Sequence, residues 1–273
     1  MTAPPPDGPT STSDPRSSEF DAYATGYDAG MGNPLKRLLG DNAEQYIAVK
    51  TRWLNNDLRS FGQDPAILDF GCGEGALLRQ LAETRKSASL HGCDVSEAMI
   101  REARKRWPPT QVPPDLRPFA GSRAPFPDQC MDVVVACAVF HHISVSDRPA
   151  AFREMMRVLR PGGRAYVFEH NPLNPLTVRV VRSTPIDRNA VLLRVEESLA
   201  GLRGAGAVHT RARYMHFTPP RFGFLSWIDP LLSRVALGAG YVVCGERAPE
   251  LARGPDRDEG ATMDPRSAAR PPR

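Results

Sequence analysis

The sequence has no Cys-x-x-Cys pair. Its five cysteines stand apart, at 72, 93, 130, 137 and 244. Nothing in that spacing suggests a disulfide framework or a zinc site. Cys72, Cys93 and Cys137 fall in or at the end of apolar runs and are expected as small core residues in a reducing compartment. No metal is expected. Long apolar runs are missing too: the longest, Val133–Phe140, is far too short to cross a bilayer. No basic-then-apolar leader is visible at the polar, proline-rich start. The expectation is a soluble cytoplasmic protein with no membrane span. Charge of one sign is also scarce, at a net +4. In the C-terminal tail, Arg253, Arg257, Arg266, Arg270 and Arg273 face Glu250, Asp256, Asp258, Glu259 and Asp264. A nucleic-acid-binding tail would be one-signed, so nucleic acid is not expected as a partner.

Hydrophobic residues make up 41% of the 273, and there are 27 prolines. Both figures trace partly to the ends. Residues 1–18 hold five prolines and no apolar period, and 248–273 offer almost nothing to bury. Such segments cannot recover the entropy lost on ordering, so both are expected to be disordered, flanking one domain at 19–247. The basic excess then lies within that domain. Arg101, Arg104, Lys105 and Arg106 read as a solvated helix face. Around 203–224, Arg203, Arg211, Arg213 and Arg221 alternate with Tyr214, Phe217, Phe222 and Phe224. That mixture suits either stacking on nucleic acid or an element with aromatics inside and arginines outside.

Apolar periodicity orders the domain. A helix is expected at 43–60, a strand at 66–70, a helix at 75–85 and a strand at 88–94. Ser96 caps a helix through Arg106, with acids early and bases late. A strand near 115–120 and the nearly all-apolar 131–136 follow, then a helix at 147–160 ended by Pro161-Gly162-Gly163, then a strand at 164–169. Repeated β-α units mean a parallel sheet with right-handed crossovers, a Rossmann-like doubly wound α/β fold. Residues 170–195, with Asn171-Pro172 and Asn174-Pro175, interrupt the pattern and read as a loop-helix insertion over the strand ends. A helix at 195–203, a strand at 207–217, a helical region at 220–236 and a last strand at 241–246 complete it. Asp132, at the start of strand four, is expected to be structural.

The most informative stretch is Ile67-Leu68-Asp69-Phe70-Gly71-Cys72-Gly73-Glu74-Gly75, with Asp94 nineteen residues after the last glycine. A strand ends in an acid, three alternate glycines follow, and a second strand ends in a second acid. This is the nucleotide-binding corner of a doubly wound sheet. The glycines read Gly-x-Gly-x-Gly rather than the dinucleotide Gly-x-Gly-x-x-Gly. That spacing points away from a pyrophosphate and toward S-adenosylmethionine (SAM), which needs room for a bulky amino acid and adenosine rather than a phosphate nest.

Five elements in order resemble the class I SAM-dependent methyltransferases: Leu68 to Gly75, Asp94 with Ser96, Pro125-Phe126-Pro127-Asp128 leading to Asp132-Val133-Val134, Phe140-His141-His142-Ile143, and Leu159-Arg160-Pro161-Gly162-Gly163. The resemblance implies a seven-stranded sheet in order 3-2-1-4-5-7-6 with the last strand antiparallel. It implies SAM as cofactor, held by Asp69, Gly71, Cys72, Gly73, Gly75, Asp94, Val95, Ser122 and Ala138. In that reading Asp69 orients the methionine ammonium and Asp94 accepts from both ribose hydroxyls. Many members place an acid before the Pro-Phe-Pro-Asp turn to accept from the adenine amino group. Here Gly121-Ser122-Arg123-Ala124 stands there, and Ser122 or a backbone carbonyl can substitute. The run Glu169 to Leu176, with Asp187 to Leu192, resembles a branch often encoded beside glycan-assembly enzymes.

Methyl transfer is an in-line displacement in which alignment can supply about 7–11 kcal/mol. An alcohol acceptor also needs a base. Candidates lie at the C-terminal ends of strands four and five: His141 and His142, then Glu169 and His170. Adjacent histidines are not expected to point the same way, so at most one of the first pair faces the acceptor. His170, beside the insertion, is the favoured base, with His142 and Glu169 as the other catalytic candidates. The expected function is methyl transfer to a small-molecule or glycan-type acceptor at oxygen. The alternatives are RNA or protein methylation, or a SAM-binding partner subunit without turnover. Oligomeric state is not legible.

Overall fold

The computed structural model describes residues 20–21, 23–24, 43–61, 65–121, 123–218 and 229–249. The segment at 1–18, the tail from 250 onward, Ser122, and most of the expected helical region at 220–236 lie outside the described residues.

The elements in chain order are α1 (Ala43–Asp57), β1 (Ala66–Phe70), α2 (Ala76–Thr84), β2 (Ser89–Asp94), α3 (Glu97–Lys105), β3 (Asp115–Pro118), β4 (Met131–Cys137), α4 (Arg148–Val158), β5 (Leu159–His170), α5 (Pro175–Arg182), α6 (Val195–Gly204), β6 (Ala207–Met215) and β7 (Gly240–Arg247). Short 3-10 turns stand at Phe140–His142 and Pro185–Asp187, and Asp229–Leu232 is one helical turn. The seven strands form one sheet in order β3-β2-β1-β4-β5-β7-β6. β7 runs antiparallel to both its neighbours, while β1 to β5 pair in parallel. This is the order the resemblance implies.

Strand alternation sends neighbours to opposite faces. Ile67, Val133, Val135, Tyr166 and Phe168 meet Leu54, Leu77, Leu81 and Ile100 from α1, α2 and α3. Leu68, Val134, Ala136, Val167 and Val243 meet Phe152 and Met155 of α4 and Leu202 of α6. Two apolar layers thus bury β1 and β4 on both sides, which explains their nearly unbroken apolar runs. Asp132 is structural in its contacts: its carboxylate accepts from Ala66 N at 2.8 Å and from Arg160 at 2.8 Å, tying β4 to the starts of β1 and β5.

The fifth strand is longer than its apolar run. It begins at Leu159, directly after α4, whereas the sequence reads a helix to 160 and a strand from 164. The pairing jumps from Met131↔Leu159 to Val133↔Arg164, so Arg160–Gly163 bulge out between two paired positions. Gly162, at φ +79°, takes the left-handed turn there. The basic excess is partly neutralised within the fold, since Arg211 on β6 pairs with Asp57 on α1. Arg203 donates to Thr210 Oγ1 at 2.8 Å, whereas Arg221, Phe222 and Phe224 lie outside the described residues.

Candidate functional site

The C-terminal ends of β1, β2, β4 and β5 open on one cavity of about 730 Å³, which Asp69, Gly73, Asp94, Ala138, His142 and His170 help to line. That volume lies within the usual range for small-molecule sites. The insertion covers its far side: α5 contributes Thr177 and Val181, and the turn after it contributes Ile186. Asn174 caps α5, accepting from Leu176 N and Thr177 N, and Asn171 donates to the carbonyls of Ala236 and Gly238. The two Asn-Pro dipeptides therefore stop β5 and turn α5 across the strand ends.

Gly71, Gly73 and Gly75 all take positive φ, at +79°, +51° and +78°. At Gly71 close packing matters as well: a Cβ would stand 2.6 Å from Val139 Cγ2. At Gly73 a Cβ would have nothing within 4 Å, because that face is the open cavity. The Gly73 N–H donates to Asp94 Oδ2 at 2.8 Å, and Ser96 N donates to Asp94 Oδ1 at 2.9 Å. Asp94 is thus held by backbone donors at the wall of the cavity. Burial raises its pKa, and the backbone donors of Ser96, Gly73 and Val95 oppose the rise.

Asp69 is buried, and its Oδ1 has no hydrogen-bond partner among the described residues. Burial, followed by the nearby Asp94 charge, pushes its pKa up to about 8, against the pull of the Lys50 ammonium. Lys50, on α1, reaches into the same cavity and donates to Cys137 Sγ at 3.3 Å. Sequence reasoning missed Lys50, since one lysine on an amphipathic helix carries no signal of its own. Of the other expected cofactor residues, Cys72 and Val95 line the cavity, and Ala138 does so from a left-handed backbone at φ +60°. Ala138 N donates to Phe168 O at 2.8 Å, which locks that strained residue. Gly75 sits one turn away as the N-cap of α2. Ser122 lies outside the described residues; beside it, Phe119 and Gly121 wall the cavity where an acid is expected.

On the other side of the cavity, the Glu169 carboxylate accepts from Val139 N at 3.1 Å, Phe140 N at 2.7 Å and His141 Nδ1 at 2.5 Å. It pins the turn after β4. Burial works against its ionised form, but the His141 charge and hydrogen bond outweigh that and bring its pKa to about 2. For His141, burial favours the neutral ring, while Glu169 and Asp187 together raise its pKa to about 9. His170 lines the cavity; burial, with the His141 charge next, lowers its pKa to about 3 and keeps the ring neutral. His216, unforeseen from the sequence, also faces the cavity, and its Nε2 has no hydrogen-bond partner among the described residues.

One premise about the paired histidines needs correcting, that adjacent rings point different ways. In a strand, neighbours alternate sides, but His141 and His142 sit in a 3-10 turn. Both rings swing to one carboxylate: the two Nε2 atoms lie 3.6 and 3.5 Å from Asp187 Oδ1. Only His142 of the pair lines the cavity. Arg148 clamps this arrangement, donating to the carbonyls of Phe140 and Ile143 at 3.1 Å and to Val191 O.

Residues 67–163 match the family model described as Methyltransferase domain. An uncharacterized methyltransferase of Bacillus subtilis is 31% identical over 116 residues, covering 42% of this chain and 61% of that protein. A demethylmenaquinone methyltransferase of Chlorobaculum parvum is 34% identical over 158 residues, covering 58% and 61%. The chain therefore spans less than two thirds of the length of these relatives. A crystal structure from Thermotoga maritima, described as a SAM-dependent methyltransferase and possible histamine N-methyltransferase, superimposes with a TM-score of 0.59 at 17% identity. That superposition covers 85% of this chain and 99% of the other, and at such identity it shows the fold alone. No helix among the described residues is long and apolar enough to cross a membrane.

Proposed function

We propose that this chain is a class I SAM-dependent methyltransferase, as the match of 67–163 to a methyltransferase domain suggests, and that the cavity at the strand ends holds SAM and transfers its methyl group to an oxygen of a small-molecule or glycan-type acceptor. One observation carries this reading. A buried carboxyl, Asp69, whose Oδ1 has no hydrogen-bond partner among the described residues, faces a cavity floored by left-handed glycines. Ionising that buried acid is costly until a further cation arrives, and the donor brings an ammonium and a sulfonium. Asp94, fixed by backbone donors, takes the ribose. Phe119 and Val95, apolar residues on the cavity wall, would flank the adenine, and Lys50, on the same wall, would meet the donor carboxylate.

The acceptor then approaches from the side of α5, where His142 and His170 stand. His170 ends the strand under the insertion and, kept neutral by burial, takes the proton of an acidic acceptor hydroxyl as the methyl moves. Glu169 has its oxygens engaged by the turn after β4 and serves as a positioning residue. The insertion contributes Thr177, Val181 and Ile186 to the acceptor side of the cavity. Similarity to a ubiquinone/menaquinone biosynthesis C-methyltransferase of Geobacter sulfurreducens, 28% identical over 158 residues, favours a carbon acceptor as the second reading.

The test is transfer of a labelled methyl from SAM into extracts of the native cell, followed by isolation of the product. A single labelled small molecule or glycan carrying a new O-methyl group supports the first reading. A C-methyl product supports the second, and label in RNA or protein rejects both.

A further inference from the structure

We propose that His141, His142 and Asp187 form a binding site for one divalent transition-metal ion, with zinc as the ion their chemistry suits. The ion would staple the turn after β4 to the turn after α5. This departs from the sequence expectation of no metal and does not depend on the identity of the acceptor.

Spacing is the first argument. The His141 and His142 Nε2 atoms lie 3.6 and 3.5 Å from Asp187 Oδ1, and all three ligand atoms fall within 4.8 Å of one another. A charge-assisted hydrogen bond from imidazole to carboxylate would be about 2.7–2.9 Å. These contacts are too long for that. Tetrahedral zinc, with bonds of about 2.0–2.2 Å to nitrogen and oxygen, separates its ligand atoms by about 3.3–3.5 Å. The two His–Asp187 gaps match those edges, and the third, between the two imidazoles, lies within 4.8 Å.

The surroundings are the second argument. Glu169 Oε2 lies 2.5 Å from His141 Nδ1, so the carboxylate fixes which nitrogen carries the hydrogen and leaves Nε2 for the ion. A carboxylate behind a histidine is the usual outer support of a metal ligand. Two carboxylates, Glu169 and Asp187, converge on two imidazoles in a site whose His141 and Glu169 side chains are 1% exposed. A dication in place of a proton on His141 would neutralise that pair. The cationic groups nearby are Lys50 across the cavity and Arg148, which is turned to the carbonyls of Phe140 and Ile143. Imidazole with carboxylate suits zinc or cobalt over magnesium, which prefers oxygen ligands only. His142, on the cavity wall, gives the ion its entry path and leaves its fourth position facing the cavity.

The test uses the full chain, stripped with a chelator and dialysed. Zn2+ is titrated against a chromophoric chelator, and Co2+ is followed by its visible absorption. One ion per chain is expected, with the intense visible bands of tetrahedral Co2+ and no thiolate charge-transfer band. Asp187→Asn and His142→Ala should each weaken binding by more than a hundredfold, and Glu169→Gln by about 10–100-fold. Circular dichroism checks that each variant folds. Where one does not, the wild-type Co2+ spectrum decides. No stoichiometric binding by the wild-type chain, a thiolate spectrum, or equal affinity in folded Asp187→Asn and His142→Ala would overturn the proposal.

Discussion

The backbone N–H of Gly73 donates to the Asp94 carboxylate at 2.8 Å, so the glycine corner after β1 and the acid after β2 form one unit. The loop holds the acid in place, and the acid holds the loop open. Ligand binding and loop geometry are therefore linked at this pair.

Asp94→Ala removes a charged acceptor that the donor ribose needs. The loss should be about 1.5–3 kcal/mol, or roughly ten- to a hundredfold in Kd for SAM. Isothermal titration checks it, with circular dichroism to show that the fold survives. Unchanged affinity would remove Asp94 from the site.

Asp69 makes SAM binding depend on pH. Its pKa is about 8 in the ligand-free pocket, so the carboxyl is protonated below that value. Beside the donor ammonium it must ionise, and binding below pH 8 releases a proton. Affinity should therefore rise with pH up to about 8 and then level off. Titration in two buffers of different ionisation enthalpy should give different heats, and Asp69→Asn should abolish the difference. Identical heats in the wild type would contradict this role.

Gly71 and Gly73 should respond differently to alanine. At Gly71 the new carbon meets Val139 Cγ2 at 2.6 Å with φ at +79°, so the domain should lose about 1–3 kcal/mol of stability. At Gly73 the carbon meets open cavity, so about 1 kcal/mol of left-handed strain is the main folding cost. Its larger effect should be on SAM affinity. Denaturant melts and SAM titrations of both variants separate the two. Equal stability losses with equal affinities would contradict the assignment.

His170→Ala should lower kcat about 10²–10⁴-fold while leaving Kd for SAM little changed. Single-turnover kinetics with an identified acceptor gives the split. A normal rate would place proton removal elsewhere or show that the acceptor needs none.

The strand–glycine–helix corner was legible in the sequence for physical reasons. Strands buried on two faces must be apolar, as at Val133–Ala136, and left-handed turns at 71, 73 and 75 favour glycine. The sheet order followed from the resemblance. Three things were not legible. The start of β5 at Leu159 depends on a bulge through Pro161-Gly162-Gly163, which as a string reads only as a stop signal. The meeting of Asp187 with His141 and His142 joins two 3-10 turns 45 or more residues apart, and no local pattern encodes it. Lys50 and His216 enter the cavity by the way α1 and the end of β6 pack on the sheet, and packing direction is not visible in periodicity.

The most direct measurement is isothermal titration of the purified chain with SAM and, separately, with its demethylated product. The expected result is saturable one-site binding of both ligands, weakened together by Asp94→Ala. No heat and no displacement with either ligand would contradict the claim that the corner after Asp69 is a methyl-donor site.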